Sequence, residues 1–306
     1  MGEWFIVTER CATMRMLARE SLEGKWKLGF FGVFIYNMIL GIPFLTLFWL
    51  FDEVGAFLGI AYVFVVAGPA QLGLSVFALA VLRNKEPQLA QVFYGFENFG
   101  RAFGLFVVVS LIIAAWSLIF FAFLFAFAFL FVLPGMWFAA FAILPLMFAS
   151  TVPVIIALLR YSQSFFILAD NPDAGIIECA GGSKRIMGGN KAKLFLLYLS
   201  FLGWSALANI PVFAAEVLFP FEGIASLPGF LAVSIIPSIG VCFVQIYLYV
   251  GVAVFYDMVS GNLRPGYVQA TAEIVSENRI YPQAEEKTEE SKVSLHKEET
   301  SDRRDY

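Results

Sequence analysis

The chain has 306 residues, 60% of them hydrophobic and only 14% charged, with a mean hydropathy of +0.79. A water-soluble fold cannot hide that much apolar surface, so soluble globular classes are excluded. The net charge of -4 describes a tail, because ten of the 24 acidic residues fall in the last 34 positions.

In chain order, Glu3, Glu9 and Arg10 precede the first apolar stretch, which lacks the short core and small-residue cleavage site of a secretory signal. The first membrane segment is therefore expected to be retained. Residues 9–23 put Cys11, Met14, Leu17, Ala18 and Leu22 on one helical face, which makes 1–27 a cytosolic amphipathic segment. Residues 28–51 carry no ionisable group and reach roughly 36 Å as a helix, enough to cross a hydrocarbon core of about 30 Å. After Asp52 and Glu53 a second uncharged run, 54–82, returns to Arg83.

Between Arg83 and the next run, Leu89, Val92, Phe93, Phe96 and Phe99 recur at three and four residues, predicting an amphipathic helix over 87–99 that lies along the membrane surface. The uncharged stretch 102–159 is too long for one crossing, and Pro134-Gly135 splits it into spans at 103–133 and 136–159. Residues 172–187 repeat the amphipathic pattern with Ile176, Ala180, Ile186 and Met187. Spans five and six follow at 194–215 and 228–256. Asn84 or Asn171 can cap the surface helices, and Gly24, Gly100 and Gly188-Gly189 can close them. Lys25, Arg101 and Lys191 then stand before spanning helices as interfacial anchors whose long side chains reach the headgroups.

Orientation follows the positive charges, which are retained on the cytosolic side. Residues 1–27, 83–101 and 160–193 hold five, three and five basic residues, and seven more follow from Arg264. The opposite connections hold only Asp52, Glu53, Glu216 and Glu222. The expected class is thus all-α: a multi-pass transmembrane helix bundle of the cell membrane, with six spanning helices in 28–260, both termini cytosolic and amphipathic interfacial helices. The polar, charge-alternating tail 261–306 is expected to be disordered. Surface helix, anchor, outgoing span and return span recur three times, each return span carrying a proline at Pro69, Pro153 or Pro237. This order permits a pseudo-threefold arrangement of parallel repeats; recurrence of hairpins without common ancestry is the alternative.

Two stretches carry a family resemblance. The first is Phe166-Ile167-Leu168-Ala169-Asp170-Asn171-Pro172-Asp173, continued by Ser183-Lys184-Arg185-Ile186-Met187-Gly188-Gly189-Asn190-Lys191 and by Leu202-Gly203-Trp204. The second is the pair of ends, Ala18 to Trp26 and Ala253-Val254-Phe255-Tyr256-Asp257. Together they resemble the domain of unknown function 975 family of prokaryotic membrane proteins over roughly residues 10–260. Asn171, Pro172, Gly188, Lys191, Trp204 and Asp257 are the motif residues, and Gly181-Gly182 departs from the family's pattern. The resemblance implies a multi-pass membrane protein and supplies no mechanism.

Chemistry is marked mainly by absences. His296 is the sole histidine and lies in the polar tail, so histidine triads and relays within the membrane are excluded. Cys11, Cys179 and Cys242 are an odd number at unrelated spacings, which indicates neither a disulfide framework nor a zinc site. No cofactor, nucleic acid or enzymatic step is expected. Gln71, Gln163 and Gln245 are candidate cavity-lining residues, with hydrogen bonding between helices as the alternative. Two functional classes follow. One is a structural or interaction protein whose basic surface helices engage anionic lipid or a partner, a homo-oligomer included. The other is a transporter or channel for a small neutral or apolar solute of unknown identity.

Overall fold

The computed structural model describes residues 5–133, 135–218 and 227–263. The tail from 264 onward, Glu222 and Pro134 lie outside the described residues. The described chain is helical, and five of its helices are long and apolar enough to cross a membrane. The fold is that of a membrane protein built on apolar helices.

The N-terminal helix α1 (Cys11–Leu22) buries Met14, Leu17, Ala18 and Leu22. It packs on the helix that follows and on the last helix of the bundle, and Gly24 stops it in the left-handed region at φ 73°. Helix α2 (Trp26–Leu82) spans 57 residues but is broken at Asp52, where φ 47° and ψ -121° leave the helical region. Its arms, 26–51 and 53–82, fold back on each other: the Tyr62 hydroxyl donates to the Ile39 carbonyl at 2.8 Å, and Lys25 Nζ donates to Asn84 Oδ1 at 2.7 Å. A Cβ at Gly55 would overlap the Leu47 carbonyl, so the turn closes only because that position is glycine.

The connection 87–99 is not the amphipathic helix its periodicity predicts. It forms a single 3-10 stretch, Leu89–Phe93, then the short α3 (Tyr94–Glu97). Asn84 ends α2 with φ 53° and caps no helix start; Gln88 and Gln91 instead form a reciprocal capping box. The physical reason is contact with protein. The Val92 carbonyl lies against Gly73 and the Pro69 carbonyl against Gly95, both too close for any Cβ. Val92 is fully buried there. Gly100, expected as a helix stop, sits inside α4 (Phe99–Val132).

Helix α4 turns at Gly135, φ 79°, into α5 (Trp137–Tyr161), which breaks at Ser162-Gln163 and resumes as α6 (Ser164–Asp170). The break is held by Ser183, whose hydroxyl donates to the Arg160 carbonyl at 2.8 Å and accepts the Gln163 amide at 3.2 Å. Ser183 belongs to α7 (Ile176–Ile186), which starts after Gly175 and not at Asn171. It runs unbroken through Gly181-Gly182. Helix α8 (Lys191–Leu218), α9 (Leu227–Ile235), a 3-10 turn at Pro237 and α10 (Ile239–Val259) complete the bundle. The C-terminal half of α10, from Val250 to Val259, is buried throughout, and the helix is contacted by α1, α2 and α8. Helices α4 and α5 pack chiefly on each other and leave Phe125, Val132 and Phe138 exposed. In hydrocarbon such a surface carries no penalty, and helix association rests on close packing and hydrogen bonds.

Candidate functional site

Two features stand out: an ion cluster at the basic end of the bundle and a cavity beside it. In the cluster, the Arg83 guanidinium forks onto Asp170, Nη1 to Oδ1 at 2.5 Å and Nη2 to Oδ2 at 2.9 Å. It also grips Asp257, Nε to Oδ2 at 3.0 Å and Nη2 to Oδ1 at 2.5 Å. Arg83 follows the second arm of α2, Asp170 ends α6 and Asp257 lies in the last turn of α10. The Asp257 side chain is 3% exposed, those of Arg83 and Asp170 21% each. Hydrogen bonds that Arg83 donates to Asp170, then to Asp257, push its pKa further up, so its charge is fixed. Sequence reading did not bring these three together. The signal was their spacing: Asp170 lies 87 residues after Arg83 and Asp257 lies 174 after it, one position at the end of each return helix.

The cavity has a volume of about 630 Å³, within the range of small-molecule sites. The first arm of α2 contributes Tyr36, the second Gln71, α4 Ser110 and Ile113, α5 Leu158, and α8 Tyr198. No Asp, Glu, Lys or Arg lines it. Gln71 is held at the wall by two phenols that donate to its Oε1, Tyr36 at 3.3 Å and Tyr249 at 3.1 Å.

Of the other two candidate glutamines, neither belongs to this lining. Gln245 accepts from Asn37 Nδ2 at 2.9 Å and so joins α10 to the first arm of α2. Gln163 is fully buried; its Nε2 donates to the Ser162 hydroxyl, a cavity-lining group, while its Oε1 has no partner among the described residues. Among the anchors, Lys25 binds Asn84 and the Val81 carbonyl across the first hairpin. Arg101 donates to the Pro172 carbonyl and, at 3.2 Å, to Asp173, while Lys191 opens α8.

A family profile described as "Protein of unknown function (DUF975)" matches residues 10–262. The chain belongs to this family. The match takes in the cavity and all three members of the ion cluster. No curated protein and no solved structure matches the chain. The motif residues divide by role in the fold. Asp257 is the buried end of the ion cluster, Asn171 ends α6 beside Asp170, and the Pro172 carbonyl receives Arg101. Gly188 turns the chain through a 3.0 Å bond from its amide to the Arg185 carbonyl, and Lys191 starts α8. Trp204 is 58% exposed on α8, a surface ring and not a core residue. Asn190, beside this motif, was not singled out by sequence. It is buried, accepts the Val7 amide at 2.9 Å and donates to the Phe5 carbonyl at 3.0 Å, fastening the segment before α1.

Proposed function

We propose that this protein is a non-enzymatic, six-span bundle of the cell membrane, both termini cytosolic, that takes a small neutral solute into its intramembrane cavity. Folding of α2 into two antiparallel arms supports the sixth crossing, and the basic clusters at one end support the orientation. The observation that carries the functional reading is the uncharged cavity with Gln71 fixed at its wall. A charged solute would lose its hydration with no counter-ion to receive it, whereas a neutral one needs only hydrogen bonds. Solute profiling in proteoliposomes tests this. At least one neutral class should move faster than in empty vesicles, and Ile113→Trp, which fills the cavity, should abolish the difference. Absence of flux for every class would remove transport through the cavity.

A structural or interaction role keeps one specific support, the exposed basic residues Arg19 on α1 and Lys184 and Arg185 on α7. In that reading these side chains bind anionic lipid or a partner, a second copy of the chain included. Replacing all three by Gln should then weaken retention of anionic lipid by the purified protein. An unchanged lipid complement would count against it.

A further inference from the structure

Two polar groups that line the cavity, Gln71 and Ser110, hold donors with no acceptor among the described residues. Tyr36 and Tyr249 both donate to Gln71 Oε1, and the amide nitrogen of Gln71 has no acceptor among the described residues. Ser110, on α4, is in the same state. Ser75, Ser117, Ser150, Ser164 and Ser200 each return their hydroxyl hydrogen to a carbonyl three or four residues back, as helical serines commonly do in apolar surroundings. Ser110 makes no such bond, although it lines the cavity beside the Ile113 turn. Unspent donors facing an otherwise apolar space are costly there. An acceptor brought in from outside would satisfy them.

The position of the mouth says where that molecule comes from. Ile155 and Leu158 on α5, with Phe195 and Tyr198 on α8, line the cavity and are also 37–49% exposed. The wall therefore opens on the outer face of apolar helices, between α5 and α8. We infer that the cavity admits from the hydrocarbon a neutral amphiphile whose carbonyl or ether oxygen accepts hydrogen bonds from Gln71 Nε2 and the Ser110 hydroxyl. This rests on the cavity reading proposed above and adds the chemical class of the ligand and its route.

The test uses the full chain in nanodiscs with three photoreactive alkyl diazirines of equal length, ended by a methyl ketone, a methyl group or a trimethylammonium, with attachment sites mapped by mass spectrometry. The ketone probe should label peptides containing Ile113 and Leu158 about fivefold more than the methyl probe, as expected for one or two retained hydrogen bonds. The ammonium probe should label them least. Gln71→Leu should bring ketone labelling down to the methyl level while methyl labelling stays, which controls for misfolding; Ser110→Ala should lower it in part. Leu158→Trp should slow ketone labelling by narrowing the mouth. Equal labelling by ketone and methyl probes, preference for the ammonium, or ketone labelling untouched by both polar variants would overturn the inference. An unchanged rate in Leu158→Trp would overturn the lateral route. No labelling of these peptides by any probe would overturn the cavity reading as well, whereas labelling without flux would remove transport and leave the ligand class standing.

Discussion

Replacing Arg83 with Met removes the one cation that holds three helix ends together. Four hydrogen bonds are lost, two to each carboxylate, and Asp170 and Asp257 are left facing each other with no counter-charge from Arg83. Breaking a buried ion pair from one side costs about 3–5 kcal/mol, because the abandoned charge stays desolvated. Asp257 is 3% exposed and meets that condition, while Asp170 at 21% retains some solvent, so a loss of about 3 kcal/mol is expected. Equilibrium unfolding in mixed micelles, followed by tryptophan fluorescence, reads the change. A second step separates charge from packing. Asp170→Asn and Asp257→Asn added to Arg83→Met should recover most of the loss, since neutral amides need no counter-ion. Arg83→Lys should recover less, as a point charge cannot fork onto two carboxylates. A loss below about 0.5 kcal/mol in Arg83→Met, the range of ordinary surface substitutions, together with no recovery in the triple variant, would refute the clamp.

Gly95→Ala should lower stability by about 1–3 kcal/mol, the usual cost of overpacking, because the new methyl meets the Pro69 carbonyl and not a movable side chain; an unchanged melting temperature in micelles would contradict the close backbone contact. Burial pushes the Cys179 thiol up to about 11, and a raised thiol pKa means less thiolate at neutral pH. Its maleimide labelling should therefore be slow at pH 8 and climb about tenfold per pH unit toward 11; a plateau by pH 9 would show an ordinary, accessible thiol.

The helices were legible because uncharged runs, broken at Asp52-Glu53 and Pro134-Gly135, leave few alternatives for backbone polar groups in hydrocarbon. The buried faces of α1 and α7 were legible for a similar reason, since one apolar stripe must be covered by something. The segment 89–97 was not. Leu89, Val92, Phe93 and Phe96 fit a helical period, but the period cannot reveal that Gly73 and Gly95 allow backbone to press on backbone, which the chain adopts instead. Glutamines in apolar spans posed the same difficulty: residue type marks Gln71 and Gln245 alike, and only packing decides that one meets a void and the other Asn37. The ion cluster depends on three helix ends separated by 87 residues at each step. A charge at each helix end reads as an ordinary boundary until the repeat spacing is compared.

Everything proposed for the cavity depends on α2 crossing the membrane twice. Three single cysteines in a chain freed of its own thiols, at Lys27, Glu53 and Lys85, test this with an impermeant reagent on intact and opened cells; all three positions are exposed. Glu53→Cys is expected to react in intact cells, and Lys27→Cys and Lys85→Cys only once the membrane is opened. If Lys27→Cys and Lys85→Cys report opposite sides, α2 crosses once and the six-span arrangement is wrong.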